Sequence, residues 1–294
     1  QSVVTRFVEQ LRDVHKLLGL HEGGCAPEFH AVSDRSGRRS ARLTLCQIVG
    51  GNDVAGSVVL EERRGPVAIV TLHRPEARNA LNADLAGAFP EAVRRADADP
   101  DVRAIVLTGS DPAFCAGFDL RDVGSGRKKG ANEHPGYWGA LPRTRVPVVG
   151  AINGAAVTGG FEIALSCDFL IASDRARFAD THTKVGMVPG WGLTIRLPRL
   201  IGEGRARRMS LTAEFIDAAK ALEWGLVTEV VSHDQLLTRA IELAESIAAN
   251  HTGAVEAVRR LYDDVRPLGD GDDAYAFENR VARDWARRRA EGSI

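Results

Sequence analysis

The chain has 294 residues, of which 44% are hydrophobic and 26% charged, and its formal net charge is −1. This length permits one large domain or one domain with an extension, and the near-neutral charge excludes a global basic surface for nucleic acid or an anionic membrane. No apolar run approaches the ~20 residues of a membrane span, and no signal peptide is visible. The four cysteines are widely spaced without a CxxC pair, which suits reduced thiols. We therefore expect a soluble, cytoplasmic protein.

Residues 1–56 differ in pattern from the rest of the chain. Apolar residues at helical spacing predict an amphipathic helix over residues 3–20, and residues 43–49 form a short strand-like run. Candidate zinc ligands in this segment are His15, His21, Cys25 and His30. Their spacing lacks the paired ligands of zinc sites, so no metal is predicted. We interpret the segment as a partly helical extension, either a loosely ordered leader or a segment that docks a partner.

From residue 57 onward, short apolar runs alternate with turns and helical patterns. Residues 58–62 and 67–72 predict two strands joined by a turn. A helix is predicted from residue 82 or 83 to residue 95, and a strand over residues 105–107. This alternation indicates an α/β fold with parallel strands and right-handed crossover connections.

The segment Val148–Phe169 reads as a strand, a glycine turn and the start of a buried helix. Gly159 and Gly160 precede the helix, where outward-pointing backbone N–H groups favour a developing negative charge. Glu162 follows within the first helical turn and is able to move protons. Two other readings stay open at this point: the glycines serve close helix packing, or Glu162 is a solvated residue that suits the helix dipole.

A second glycine-containing segment, Ala104–Leu120, supports the interpretation that Gly159, Gly160 and Glu162 belong to a catalytic site. It contains Ala113-Phe114-Cys115-Ala116-Gly117-Phe118-Asp119-Leu120 after an apolar strand and a turn. This run is similar to the motif A-F-x-A-G-x-D-L, and the segment Val148–Phe169 is similar to N-G-x-A-x-G-G-G-x-E. Both motifs, in this order, are typical of the enoyl-CoA hydratase/isomerase superfamily, the crotonases. The chain resembles that family from about Ser57 to the C-terminus.

The resemblance implies a crotonase-like spiral of ββα repeats followed by a helical C-terminal region. The core would span residues 57–231 and the C-terminal helices residues 232–294, with residues 1–56 outside the resemblance. It also implies homotrimers or hexamers. Helical patterns over residues 236–249, 254–265 and about 272–289 agree with such a C-terminal region.

The resemblance also implies a thioester site. By residue-to-residue match, the backbone N–H groups of Phe118 and Gly159 form an oxyanion hole, and Glu162 is the catalytic base. His182 occupies the place where hydratases have a second catalytic glutamate, and an imidazole is able to bind water or give a proton there. Further substrate or CoA contacts are expected from Arg74, Arg78, Cys115, Ala116, Asp119, Gly160 and Trp191. Coenzyme A is part of the substrate, and no separate cofactor or metal is expected.

The replacement at His182 leaves three functions open. A Glu162/His182 pair supports hydration of a trans-2-enoyl-CoA in fatty acid metabolism, which is the function that we predict. Glu162 alone supports isomerisation of the double bond or another crotonase reaction. A non-catalytic acyl-CoA binding protein is the third alternative. Cys115 has no base beside it in sequence and is not predicted to be a nucleophile.

The glycine-rich loop 124–130 lacks the lysine-serine or lysine-threonine ending of a nucleotide P-loop. We expect it instead to be a mobile loop over the acyl end of a ligand. Tyr137 and Trp138 follow it, and they suit either the lining of an apolar pocket or the packing of a helix.

Overall fold

The computed structural model describes residues 57–119 and 140–293. Strands β1 (Val59–Arg64) and β2 (Val67–Leu72) form an antiparallel hairpin, as the sequence predicts. Strands β3 (Ala104–Gly109), β5 (Val148–Ile152), β7 (Phe169–Ser173) and β10 (Glu229–Val231) extend it into a sheet. The strand order is β1-β2-β3-β5-β7-β10, and every pair beyond the hairpin is parallel.

A second sheet contains four very short strands. These are β4 (Ala113–Cys115), β6 (Ala155–Val157), β8 (Arg177–Ala179) and β9 (Phe215–Asp217), in the order β4-β6-β8-β9. Strands β4, β6 and β8 are parallel, whereas β9 is antiparallel to β8. The chain passes from the large sheet to the small sheet three times, from β3 to β4, from β5 to β6 and from β7 to β8. This repetition is the predicted crotonase-like spiral.

The helices lie between and after these strand pairs. Helix α1 (Ala83–Ala98) runs three residues beyond the predicted end, and Asn82 caps it by accepting a hydrogen bond from the Leu85 amide. The following helices are α2 (Gly159–Leu165), α3 (Leu193–Ile201), α4 (Glu203–Thr212) and α5 (Ala218–Trp224). The C-terminal region contains α6 (Leu236–Ala248), α7 (Thr252–Val265) and α8 (Asp272–Ala290), close to the predicted bounds.

Each face of the large sheet packs against a different set of side chains. One face meets α6, whose Leu236, Ala240, Ile241 and Ala244 lie against alternate residues of β2, β3, β5 and β7. The opposite face forms the main core with α1, α2 and the small sheet. Burial of both faces explains why the parallel strands are apolar throughout instead of alternating. The predicted division at residue 57 stays a prediction, because residues 1–56 lie outside the described ranges.

Candidate active site

Two glycine-containing loops meet where the parallel strands β4 and β6 end. A Cβ added at Gly160 would lie 2.1 Å from the Cys115 carbonyl oxygen, so only glycine permits this approach. Gly117 has a φ of +91°, and a Cβ there would lie 2.9 Å from the Val157 carbonyl oxygen. Both glycines therefore allow the two backbones to touch, and the predicted role of Gly160 includes this close packing.

Phe118 and Gly159, the residues with the two predicted oxyanion amides, lie on these adjoining loops. A Cβ added at Gly159 would lie 3.0 Å from the Phe118 ring, so the two residues are neighbours. Leu81 and Phe118 form an isolated parallel β-bridge. Its two hydrogen bonds run from the Leu81 amide to the Gly117 carbonyl and from the Asp119 amide to the Leu81 carbonyl, so the Phe118 amide takes no part in it. Within residues 57–119 and 140–293, neither predicted amide donates a hydrogen bond to a protein atom. Such amides are free to meet a ligand carbonyl.

Thr158 sets the direction of the Gly159 amide and has an unusual backbone conformation. Its φ of 53° and ψ of −115° are rare for a β-branched residue. The Thr158 amide donates to the Ala179 carbonyl at 3.0 Å, and its Oγ1 lies 2.5 Å from Oγ1 of Thr181. The motif N-G-x-A-x-G-G-G-x-E has glycine in place of Thr158. Sequence reasoning missed the contact between the Thr158 and Thr181 hydroxyl groups.

Glu162 is buried on the first turn of α2, with only 1% of the residue exposed. Its Oε1 accepts hydrogen bonds from the amides of Trp191 at 2.7 Å and Leu193 at 3.4 Å. Burial raises the pKa of Glu162, and these amides together with His182 oppose that rise only in part. Oε1 is therefore held by the backbone, while Oε2 faces His182. The reading of Glu162 as a solvated residue is wrong.

His182 lies opposite Glu162 and is equally buried. Its Nε2 is 3.7 Å from Oε2 of Glu162, which is too long for a direct hydrogen bond. The other ring nitrogen, Nδ1, is 2.6 Å from Oδ1 of Asp180, a fully buried carboxylate. Sequence reasoning missed Asp180, although an acid two residues before a candidate catalytic histidine was a usable signal. The imidazole of His182 thus has the Asp180 carboxylate at one ring nitrogen and the Glu162 carboxylate near the other.

Arg74 is held inside the protein. Its guanidinium donates to the Ala80 carbonyl at 2.5 Å and lies 3.3 Å from Oδ2 of Asp119. Only 13% of the Arg74 side chain is exposed, and 8% of the Asp119 side chain. These contacts indicate that Arg74 and Asp119 hold the loop after β4 in place. They favour this role over the predicted contact of the two residues with CoA. Arg78 is partly buried, has a left-handed backbone conformation, and its pKa is lowered by burial.

Asn79 connects this segment to the loop after β3 and to β4 through three hydrogen bonds from its side-chain amide. It is fully buried, and its amide group donates to the carbonyls of Ser110 and Ala113, both at 2.7 Å. Its Oδ1 accepts from the Arg74 amide at 2.8 Å. The sequence places Asn79 in a segment that resembles the family but does not predict these contacts. Its contacts position the strand that leads to the predicted oxyanion amide of Phe118.

The remaining predicted contact residues differ in access to a ligand. The Cys115 side chain is fully buried, and burial raises the pKa of its thiol to about 12, which agrees with the prediction that it is not a nucleophile. Ala116 is partly exposed and donates its amide to the Arg78 carbonyl at 3.1 Å. The Trp191 ring lies 5.0 Å from the Phe118 ring, between centroids. Trp191 thus connects the Phe118 loop to Glu162.

Several predicted features lie outside the described residues. They are the N-terminal helix, the candidate zinc ligands, loop 124–130, Tyr137 and Trp138. Within residues 57–119 and 140–293, no group of three or more acidic, histidine or cysteine side chains is arranged to hold a metal ion. The predicted absence of a metal stays a prediction. No helix in the same ranges is long and apolar enough to cross a membrane.

The spiral of strand pairs and the buried carboxylates beside two glycine loops define a crotonase-type α/β protein. A sequence profile of the enoyl-CoA hydratase/isomerase family matches residues 62–281, and the chain belongs to this family. It is similar to the probable enoyl-CoA hydratase echA8 of Mycobacterium bovis, with 40% identity over 211 residues, 70% of this chain and 82% of that protein. It is 38% identical to the short-chain-enoyl-CoA hydratase of Clostridium acetobutylicum over 227 residues, 75% of this chain and 86% of that protein.

The fold is also similar to solved structures. The crystal structure of an enoyl-CoA hydratase from Mycobacterium smegmatis matches with a TM-score of 0.66 and 47% identity. The match covers 78% of this chain and 98% of that one. The predicted resemblance and the predicted fold class are therefore confirmed.

Proposed function

We propose that the protein is an enoyl-CoA hydratase, a lyase that adds water to a trans-2-enoyl-CoA thioester in fatty acid metabolism. The observation that carries the proposal is the facing pair of Glu162 Oε2 and His182 Nε2, 3.7 Å apart in a buried space. The names of the similar proteins support the same reaction. Coenzyme A is part of the substrate, and the proposed chemistry uses no other cofactor.

In the proposed reaction, the thioester oxygen accepts hydrogen bonds from the amides of Phe118 and Gly159. Charge develops on this oxygen when water adds at C3, so donors aimed at it stabilise the transition state more than the substrate. Glu162 accepts a proton from the attacking water as the hydroxyl group bonds to C3, and His182, protonated on both ring nitrogens, gives its Nε2 proton to C2. Glu162 then returns its proton to Nε2 of His182, 3.7 Å away, which restores the site. The raised pKa of Glu162 suits a group that accepts and later returns a proton.

The test is loss of the enoyl absorbance when the purified protein meets crotonyl-CoA and a longer trans-2-enoyl-CoA, with binding measured on the same batch. Hydration of either thioester is the expected result. Binding without loss of absorbance would contradict the proposal and favour an acyl-CoA binding protein. Formation of the conjugated thioester from a trans-3-enoyl-CoA, with no hydration, would instead favour an isomerase.

His182→Ala is expected to lower the rate of hydration by about 10²- to 10⁴-fold, because the second proton-transfer group is lost. His182→Glu, which introduces the residue of the family motif, is expected to recover part of that loss. Both rates are measured with crotonyl-CoA beside thermal unfolding of each variant. Full activity in the folded alanine variant would show that His182 has a structural role only.

We also propose that the C-terminal helices mediate assembly into a homotrimer or a hexamer. Helix α7 has no buried residue, and Val258 and Tyr262 are 52% and 77% exposed. On α8, Tyr275 is 66% exposed. Apolar side chains in such numbers on neighbouring helices favour a protein interface. Sedimentation is expected to give three or six times the protomer mass of 31.7 kDa, and a monomer would contradict the proposal.

A cytoplasmic location is a further proposal. Cys115 and Cys167 are both free and buried, which supports a reducing compartment. Their side chains contribute to the hydrophobic core as small apolar groups.

A further inference from the structure

We propose that Asp180 is a positioning residue that confines the reacting proton of His182 to Nε2, the ring nitrogen that faces Glu162. This inference rests on the proposed function, because it assigns the geometry of the second proton-transfer group. Asp180 is on neither of the two glycine loops and is fully buried behind the imidazole. Its Oδ1 lies 2.6 Å from Nδ1 of His182 and also accepts the His182 backbone amide at 3.2 Å.

The chemistry of the two partners decides which of them holds the proton in this contact. Burial opposes ionisation of Asp180, but the hydrogen bonds from the His182 ring and the His182 amide help to outweigh it, and the pKa of Asp180 is lowered. An ionised carboxylate only accepts hydrogen bonds. Nδ1 must therefore carry a hydrogen whether the ring is neutral or charged. Nε2 is then the nitrogen that gains and loses a proton.

The surroundings hold the ring in this orientation. Only 1% of His182 is exposed, so the ring does not turn toward solvent. The neighbouring Thr181 is tied to Thr158 through their hydroxyl groups, and the Met187 amide donates to the His182 carbonyl at 2.9 Å. Glu162 faces the ring from the opposite side at 3.7 Å. The ring is thus fixed between two carboxylates with its two nitrogens in different roles.

Asp180 becomes important because the chain has histidine where the family motif has glutamate. The two oxygens of a carboxylate are chemically equivalent, and either one is able to exchange a proton. The two nitrogens of a neutral imidazole are not equivalent, since only one carries hydrogen, and the partner of the other nitrogen selects the tautomer. A histidine at this position therefore needs a third group that selects its tautomer. Asp180 is such a group, because its carboxylate accepts a hydrogen bond from Nδ1.

The first experiment is nitrogen NMR of the 294-residue chain with ¹⁵N-labelled histidine, recorded over a series of pH values. The His182 signals are identified as those absent from the His182→Gln variant. We expect the pattern of a ring protonated on Nδ1 and unprotonated on Nε2. The opposite tautomer in the wild-type protein would overturn the inference, and this result needs no variant at Asp180.

The second experiment uses Asp180→Asn, because asparagine keeps the size of the side chain and is able to donate to Nδ1 as well as accept from it. We expect the Nε2-protonated tautomer to appear and kcat for crotonyl-CoA to fall by about 100-fold or more. KM is expected to stay within about threefold, because Asp180 is not placed in contact with the substrate. A purely structural role would leave the tautomer unchanged.

Asp97→Asn is the matched control. Asp97 accepts the amides of Arg145 at 2.7 Å and Val146 at 3.0 Å and lies outside the proposed machinery. We expect it to leave the His182 tautomer and kcat unchanged. Wild-type kcat in Asp180→Asn would overturn the inference while the hydratase function stands. If the wild-type protein hydrates no enoyl-CoA, the proposed function fails, and the NMR spectrum still decides which nitrogen carries the proton.

Discussion

Glu162→Gln is expected to lower kcat for hydration on the order of 10³-fold while leaving CoA binding nearly intact. Glutamine keeps an oxygen for the amides of Trp191 and Leu193 but accepts no proton from water. Stopped-flow absorbance with crotonyl-CoA measures the rate, and calorimetry with CoA measures the affinity. Retained turnover would remove Glu162 from the mechanism. Glu203→Gln, at an exposed carboxylate paired with Arg207, is the matched control and is expected to leave both quantities unchanged.

The same variant also tests the pKa of Glu162 through stability. Because burial raises that pKa in the folded state, the folded protein binds this proton more tightly than the unfolded chain. The resulting stabilisation is present at low pH and is lost as the pH rises from the unfolded pKa through the folded one. Glu162→Gln does not titrate, so its Tm relative to the wild-type protein is expected to increase over that window. A difference independent of pH would contradict a raised pKa.

Gly160→Ala is expected to destabilise the fold and to impair catalysis together. The added methyl group would lie 2.1 Å from the Cys115 carbonyl oxygen and 2.7 Å from the Cys115 Cβ, so the two glycine loops must separate. Such overpacking costs about 1–3 kcal/mol or more in unfolding free energy. Loss of an aligned oxyanion donor costs about 10²- to 10³-fold in kcat. Urea unfolding and the crotonyl-CoA rate measure the two effects.

Gly204→Ala provides the control for this prediction. Gly204 lies in helix α4, and a Cβ there meets no atom within 4 Å. Alanine is expected to stabilise the protein by about 0.5–1 kcal/mol, because glycine is the poorer helix residue, and to leave kcat unchanged. Wild-type stability and activity in Gly160→Ala would show that the loops tolerate separation and would contradict their proposed role.

The two loops that carry the predicted oxyanion amides could be identified because each loop is local in sequence. The motifs around Phe118 and Gly159 each follow an apolar strand, and parallel strands bring such segments to one edge of a sheet. Glu162 could be placed for the same reason, since it lies one helical turn from Gly159. Strand β6 (Ala155–Val157) was not predicted, because three residues are too few to show a period.

The contacts of the charged residues depended on tertiary structure. The sequence shows Arg74 as a loop arginine, and only the folded chain brings it against Asp119, forty-five residues away. Its burial favours a role as an internal support over the predicted contact with CoA, because a buried guanidinium requires partners for its N–H groups. Asn79 likewise acquires its role only through the carbonyls that the fold brings around it.

The sequence by itself determined the family, the β1–β2 hairpin, helix α1 and the C-terminal helices, and Glu162 and His182 as the candidate proton-transfer groups. These features follow from patterns of glycine, apolar and acidic residues that lie close together in the sequence. Only the tertiary structure decided that Glu162 Oε2 faces His182 Nε2 and that Asp180 stands behind the ring. Distances between side chains on separate turns of the spiral depend on the packing of the whole core, and no local pattern specifies them.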